Sequence, residues 1–396
     1  MITYIVFHKY YVYVYFENNI SNLTGDNTVS DSLNKLTIKG FKSIKELKSF
    51  DLYNLNVFIG GNGAGKSNFI EFFRMIAAMM EPDGLKMFIE GNADTYLFGG
   101  PKTTPYISVK MEFGQNGYEF ELTSNQDGFF LINNEKRHCF SYSSPSTLSL
   151  GSGNFNPELL NDRNSKGSQG QEHNASWYTY NSIKSWTIYH FHDTNNNAEM
   201  RRYHDIGHNE KLFKDGSNIA PYLLELRTNY PDNYKEIVNT VRLVIPFFDD
   251  FILKPDKNEN IRLDWRQKGL KNYPMRPTQL SDGSIRFICL ATALLQPDPP
   301  STIIIDEPEL GLHPAAISIL AELVLDTSKL TQVILATQSP ALINHFDIED
   351  LIVVNREHKA STFTRLDKKD FTAWLENYSI GELWSKNVID GGPVYE

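Results

Sequence analysis

The chain has little cysteine and no long apolar run. Only two cysteines, Cys139 and Cys289, occur among its 396 residues, too few for a disulfide framework. Cys289 lies in an apolar stretch, where we expect a buried and unreactive thiol. No run of about 18 apolar residues is present to span a bilayer, and the aromatic N-terminal stretch lacks a small-residue cleavage site for export. We therefore expect a cytoplasmic protein that does not contact a membrane.

Positive charge is also in short supply. Lys and Arg number 38 against 48 Asp and Glu, which gives a formal net charge of −10 at pH 7. This charge balance argues against a protein that binds nucleic acid over its whole surface, although it is compatible with a local basic patch. A protein partner therefore has to be considered.

What the chain does have is a glycine-rich loop between a strand pattern and a helix pattern. Residues Gly60 to Ser67 fit G-x-x-x-x-G-K-S, and they follow the apolar run Leu55–Ile59. The glycines let backbone N–H groups point at phosphate oxygens, and the following helix adds its positive end. We expect Lys66 to reach the β and γ phosphates of ATP, and the Ser67 hydroxyl to bind Mg²⁺.

An element far downstream supplies the acids that such a loop requires. The β-branched run from Ile303 to Ile305 is typical of a strand that is buried on both sheet faces. It delivers Asp306 and Glu307 to the carboxyl edge of the sheet, where α/β folds bind ligands. Asp306 then suits the Mg²⁺ shell, and Glu307 suits a base that polarises an attacking water.

A third pattern, Leu280-Ser281-Asp282-Gly283, precedes an apolar helix. By itself it is an ordinary N-cap, although its hydroxyl and backbone N–H groups also suit a γ-phosphate. Taken with the acidic strand, the pattern resembles the ABC-type ATPase head shared by SMC, Rad50, RecF and OLD-like proteins, and more narrowly the bacterial ATPases of the AAA_21 type. The further segments that carry this resemblance are residues 36–44, 309–314, 336–340 and 380–393.

The resemblance implies an α/β fold: an ABC-type P-loop head with a mixed central sheet, helices and an antiparallel β subdomain, carrying an α+β insertion. In such heads the signature loop of one subunit closes over ATP held by another, so we expect Ser281 and Gly283 to act across a nucleotide-sandwiched homodimer. Gln338 stands where ABC ATPases usually have histidine. Since an amide cannot carry a proton charge, slow hydrolysis is expected. Gln115 and Gln126 are candidates for the Q-loop glutamine by position only.

The predicted site therefore combines three parts of the chain. The expected catalytic residues are Glu307 and Gln338, and the expected metal ligands are Ser67 and Asp306. The predicted ATP-binding residues are Gly60, Gly61, Asn62, Gly63, Ala64, Gly65, Lys66, Ser67, Asn68, Ser281 and Gly283.

Four segments are predicted along the chain. Residues 1–35 form an extension, 36–140 the first part of the head, 141–276 an insertion, and 277–396 the second part of the head. Residues 106–113 and 118–122 alternate like antiparallel strands, and residues 141–176 have the Ser, Gly and Asn content of a mobile loop. Helices are predicted over residues 218–229 and 233–244, with a break at Pro231.

Two functions remain open for the predicted ATPase. One is control of a separate protein effector, a nuclease or toxin, in phage defence, since the chain itself shows no nuclease centre. The alternative is a RecF-like DNA-binding ATPase of repair or recombination. Residues 254–276 hold seven basic and three acidic residues around Trp265 and Tyr273. This composition predicts either a surface for weak, salt-sensitive nucleic-acid binding, extended by Arg201 and Arg202, or a solvated hairpin.

Four histidines form a weaker constellation. They could bind zinc or serve as polar packing, but their spacing is irregular and no cysteine lies nearby. These residues are His190, His192, His204 and His208.

Overall fold

Two six-stranded sheets dominate the computed structural model, which describes residues 32–140, 145–167, 173–270 and 273–389. The strands are β1 (Leu33–Phe41), β2 (Ile44–Asp51), β3 (Leu55–Ile59), β4 (Ile107–Phe113), β5 (Asn116–Ser124), β6 (Phe130–Cys139), β7 (Ser146–Gly151), β8 (Thr187–Tyr189), β9 (His204–Asp205), β10 (Phe248–Ile252), β11 (Asn260–Ile261), β12 (Asp264–Gln267), β13 (Pro274–Met275), β14 (Thr302–Asp306), β15 (Gln332–Thr337), β16 (Leu351–Glu357) and β17 (Ala360–Arg365). The helices are α1 (Lys66–Met79), α2 (Gly84–Ile89), α3 (Leu159–Asp162), α4 (Ala175–Ser185), α5 (Ile219–Asn229), α6 (Pro231–Val244), α7 (Asp282–Leu294), α8 (Pro314–Thr327), α9 (Pro340–Ile343), α10 (Lys368–Leu375) and α11 (Ile380–Ser385).

The first sheet has the strand order β17-β16-β3-β15-β14-β8. Its strands are parallel except for β17, which pairs antiparallel with β16. Strands β3, β14 and β15 are almost wholly buried, as expected of a parallel sheet covered on both faces. Because the carboxyl ends of parallel strands share one edge, the segments that follow β3, β15, β14 and β8 emerge side by side.

The second sheet is antiparallel, in the order β2-β1-β4-β5-β6-β7. The predicted strand pair appears as β4 and β5, joined in antiparallel register, and β4 alternates buried and half-buried residues along its whole length. Helix α1 packs between the two sheets. It buries Phe69, Phe72, Phe73 and Ile76, whose spacing is that of one helix face. The fold is therefore the mixed α/β architecture expected of an ABC-type head.

Residues 141–176 differ from the predicted mobile loop where the structure describes them. Strand β7 pairs with β6, and α3 follows it. The buried carboxylate of Glu135 anchors α3 because it accepts bonds from the backbone N–H groups of Glu158 and Leu159, both at 2.9 Å. Strand β7 lies at the sheet edge and is largely exposed, so its composition looks like that of a loop. Residues 141–144 and 168–172 lie outside the described residues.

Two boundaries also differ from the predictions. Strand β1 begins at Leu33, three residues before the expected start of the head at 36, and residues 1–31 lie outside the described part. Helix α6 begins at Pro231, because proline is well suited to the first helical turn, where its missing N–H has no helical partner. Helix α5 occupies the predicted range almost unchanged.

The segment 141–276 is closely joined to the rest of the head. Its strand β8 is the edge strand of the first sheet, paired with β14, and its helix α6 packs on α7 and α8. One apolar core contains residues of both parts, such as Val241 and Ile288. Among the described residues, none of the helices has the length and apolar character needed to cross a lipid bilayer.

Candidate functional site

The glycine-rich loop lies between buried β3 and α1, as predicted. Gly63 and Gly65 have φ angles of 77° and 124°, which L-residues rarely adopt, and a side chain at Gly65 would collide with Ser361. Lys66 is buried, and its Nζ donates to the carbonyl oxygens of Gly60 at 2.6 Å and Gly61 at 3.2 Å. The ammonium group is therefore held at the mouth of the loop, where it can meet phosphate oxygens.

Side chains from distant parts of the chain brace this loop. Ser361 on β17 donates to the Ala64 carbonyl at 2.5 Å, and its Oγ lies 2.7 Å from the Ser43 hydroxyl. Asn68 in turn donates to Ser43 Oγ at 2.7 Å, and Arg356 donates to the Gly63 carbonyl at 3.1 Å. Asn68, one of the residues predicted to bind ATP, thus helps to position the loop. The sequence analysis did not select Ser43 and Ser361, which brace the loop.

The predicted acids stand at the same sheet edge. Asp306 ends β14 opposite Ala336 of β15, and Glu307 follows with a positive φ of 45°. Its backbone N–H donates to the Ala336 carbonyl at 2.8 Å. Gln338, just beyond β15, donates from Nε2 to Glu307 Oε1 at 2.7 Å. The structure thus brings Glu307 and Gln338 into direct contact.

Glu309 is a further acid of this site that the sequence analysis did not select. Its Oε1 accepts from Thr337 Oγ1 at 2.6 Å and from the Gln338 N–H at 3.3 Å. Its Oε2 is buried without a hydrogen-bond partner among the described residues. Glu309 therefore fixes the end of β15, and with it the start of the segment that carries Gln338.

Burial and mutual repulsion act on the charges of this edge. Burial raises the pKa of Asp306, and the neighbouring charge of Glu307 raises it further. Burial lowers the pKa of Lys66, while the charges of Glu307, Asp306 and Glu309 act in the opposite direction. The Ser67 hydroxyl is exposed and unpartnered within the described part of the chain. Ser67 and Asp306 are thus the groups that could hold a divalent cation together with phosphate oxygens.

The start of α7 carries the predicted signature residues. Ser281 is exposed and caps the helix, since its Oγ accepts from the Ser284 N–H at 3.1 Å. A side chain at Gly283 would collide with the Gly311 carbonyl, so the close approach of these two segments requires glycine. In the described ranges no hydrogen bond or ion pair joins Ser281 or Gly283 to residues 60–67 of the same chain.

Two buried arginines tie α7 to its surroundings. Arg286 donates to the carbonyls of Phe191 at 2.8 Å, His192 at 3.2 Å and Leu310. Arg201 donates to the Leu280 carbonyl at 3.1 Å and to the Asp282 carboxylate at 2.9 Å. The start of α7 is thereby fixed to the segments that follow β8 and β14. Arg201 is buried, which makes it unavailable for the basic surface predicted from the sequence.

The two candidate Q-loop glutamines lie away from this edge. Gln115 is in the turn between β4 and β5, and Gln126 is in the turn between β5 and β6 of the second sheet. The segment from His190 to His192 follows β8 and emerges beside Asp306, because Tyr189 of β8 pairs with Ile305 of β14. The sequence offered no signal for this placement, since β8 has only three residues.

Two of the seven basic residues of segment 254–276 form ion pairs among the described residues. Arg262 pairs with Asp264 at 2.8 Å, and Arg266 pairs with Asp249 at 2.7 Å. Trp265 is only 1% exposed and cannot stack on a base. Strands β12 and β13 pair antiparallel, in agreement with a hairpin, whereas Tyr273 is 60% exposed, so weak nucleic-acid binding stays a prediction.

His204 and Cys289 have structural surroundings. No group of three or more His, Cys, Asp or Glu side chains arranged for a metal ion is found among the described residues. His204 lies 2.9 Å from the Glu199 carbonyl. Cys289 is buried, and this burial raises the pKa of its thiol to about 12, in line with the predicted unreactive role.

Comparisons with known proteins agree with this geometry. A model of the AAA_21 family, described as "AAA domain, putative AbiEii toxin, Type IV TA system", matches residues 55–344. The "Putative ABC transporter ATP-binding protein MG303" of Mycoplasma genitalium is 30% identical over 117 residues, which are 28% of this chain and 31% of that protein. The chain thus spans about a third of that relative's length.

Among solved structures, an SMC head bound to the C-terminal winged-helix domain of ScpA superposes with a TM-score of 0.58 at 16% identity. The match covers 86% of this chain and 99% of that one. At this identity the likeness is one of fold.

Proposed function

Because this chain belongs to the AAA_21 family of P-loop ATPases with an ABC-type head, we propose that it binds ATP with Mg²⁺ and hydrolyses it at the interface of a homodimer. The cycle controls or assembles a separate protein effector, a nuclease or toxin, in defence against phage. One observation carries the proposal. Lys66, Asp306 and the hydrogen-bonded pair of Glu307 and Gln338 converge at the edge of one parallel sheet.

In the proposed ATP hydrolysis, five side chains have separate roles. Lys66 binds the β and γ phosphates, and the loop N–H groups orient them. Ser67 and Asp306 hold Mg²⁺, which supplies charge neutralisation at the phosphates. Glu307 accepts a proton from the attacking water. Gln338 keeps the Glu307 carboxylate in place through their 2.7 Å bond and orients the water.

The position of the start of α7 supports the proposed dimer. Ser281 is exposed, and its own phosphate loop does not reach it through any hydrogen bond of the described residues. The exposed N-terminal end of α7 therefore suits the γ-phosphate of a nucleotide held by a second copy. In this arrangement each ATP is closed by residues of both chains.

The dimer is tested by Ser281→Arg in a Glu307→Gln background, with ATP and Mg²⁺ present. We expect the arginine to block closure and leave monomers in multi-angle light scattering. Ser281→Ala is the matched control, because it removes the same N-cap, which contributes about 1 kcal/mol, without adding bulk. If Ser281→Arg forms the same ATP-dependent dimer as Ser281→Ala, the nucleotide-sandwiched dimer is ruled out.

The ion pairs within the basic hairpin, residues 254–276, favour control of an effector over the RecF-like alternative. Arg262 and Arg266, which would contact phosphates, are already paired with Asp264 and Asp249. The net charge of −10 points the same way. The family description also names a toxin system, which supports a partner of this class.

A further inference from the structure

A cavity of about 740 Å³ lies beside the nucleotide sheet, outside its edge strand β8. Helix α1 forms one wall, and residues 211–215 form another. The basic side chains that line it are Arg74, Lys184, His190, Lys211 and Lys214, and the acidic ones are Glu81 and Asp215. The cavity therefore collects basic groups from four separate parts of an acidic protein.

Most of this positive charge is unpaired. Lys184 forms an ion pair with Glu81. Arg74, Lys211 and Lys214 make no side-chain hydrogen bond or ion pair with any residue that the structure describes. This contrasts with Arg262 and Arg266 of the basic hairpin, which are paired with neighbouring acids. The four cations of the cavity, Arg74, Lys184, Lys211 and Lys214, thus outnumber its two acids, Glu81 and Asp215.

The crowding of these cations affects their protonation. Desolvation, and then the charges of Lys211, Arg74 and Lys184, lower the pKa of Lys214, although much of this residue is exposed. Burial, and then the charge of Arg74, lower the pKa of His190. The Nδ1 atom of His190 is buried and has no partner within the described ranges. An anion placed among the cations would relieve their mutual repulsion.

Aromatic groups complete the lining. Phe88, Trp186 and Phe213 border the same cavity. Its volume lies within the roughly 300–1,000 Å³ that is usual for small-molecule sites. A ligand with phosphate at one end and a flat ring at the other matches both parts of the lining.

We propose that this cavity binds a nucleoside phosphate, either free or at the end of a nucleic-acid strand, and that this site is distinct from the phosphate loop. Arg74 and Lys66 stand on the same helix, two turns apart, and His190 follows the strand next to Asp306. The proposal goes beyond ATP hydrolysis and does not depend on it.

The test uses the full chain carrying Lys66→Ala, so that the phosphate loop does not contribute. Two probes are titrated: AMP by calorimetry, and a fluorescent 5′-phosphorylated tetranucleotide by anisotropy. The cavity variant adds Lys211→Glu and Lys214→Glu. The matched control adds Lys45→Glu and Lys48→Glu, which make the same charge change at exposed positions of β2.

We expect at least one probe to bind, and its affinity to fall about tenfold or more in the cavity variant but less than about twofold in the control. Binding of AMP assigns the site to free nucleotides, and binding of the tetranucleotide alone assigns it to strand ends. Absence of binding by either probe at millimolar concentration overturns the proposal, as do equal losses in the two variants. Thermal melting, followed in parallel, ensures that both variants are compared as folded proteins. Lys211→Gln with Lys214→Gln repeats the comparison without charge reversal.

Discussion

Replacement of Arg286 by methionine should destabilise the protein strongly. The buried guanidinium donates to the carbonyls of Phe191, His192 and Leu310, and methionine keeps the length of the side chain but none of its donors. A hydrogen bond to a charged group contributes about 1.5–3 kcal/mol. The three bonds are not additive, and burial of the guanidinium, which lowers its pKa, offsets part of the gain. We therefore expect a loss of about 3–5 kcal/mol in the free energy of unfolding.

Urea denaturation of the nucleotide-free protein measures this loss directly. Arg202→Met is the matched control, because Arg202 and its partner Glu199 are each 55% exposed, and such surface pairs contribute about 0–1 kcal/mol. Arg286→Lys should fall between the two, since an ammonium group keeps the charge but cannot span three carbonyls. A loss below about 1 kcal/mol for Arg286→Met would refute the idea that this side chain holds α7 to its neighbours.

Two further predictions concern the nucleotide site. Ser361→Ala removes the donor to the Ala64 carbonyl and should weaken ATP binding about 5- to 10-fold, by about 1 kcal/mol, as measured by calorimetry. An unchanged ATP affinity would exclude a role for Ser361 in bracing the loop. Asp306 has a raised pKa, so its contribution to stability is present below its unfolded value, near 3.8, and is lost as the pH rises through the higher folded value. Asp306→Asn should abolish that loss and raise the melting temperature of the nucleotide-free protein at neutral pH, and a variant that reproduces the wild-type pH curve would contradict this assignment.

The residues that the sequence located well are those in short contiguous motifs. The phosphate loop, the strand ending at Asp306 and the segment with Gln338 each combine a local pattern with one defined sheet position. Parallel strands bring their carboxyl ends to one edge, which predicts that the acids after β14 lie near the phosphate loop. The role of Gln338 came from the resemblance to ABC-type heads. The contact between Glu307 and Gln338 is consistent with that inference.

The residues that the sequence missed act through tertiary contacts. Ser361 reaches the loop because β17 folds back beside it, some 300 residues further along the chain, as the bond to Ala64 shows. Strand β8 is too short to produce a recognisable pattern, so the place of His192 beside the site was hidden. Strand β7 is a largely exposed edge strand in which Leu148 and Leu150 are the only large apolar residues, so its composition resembles that of a loop.

The central claim is that ATP held by the loop of Lys66 is hydrolysed with Glu307 as the base. The most direct test measures ATP affinity and steady-state turnover side by side in Glu307→Gln, with Lys66→Ala as the control that loses affinity. We predict turnover lower by about 10²- to 10⁴-fold with ATP affinity retained, because glutamine keeps the shape but not the basicity of the side chain. Turnover at the wild-type rate in Glu307→Gln would contradict the claim.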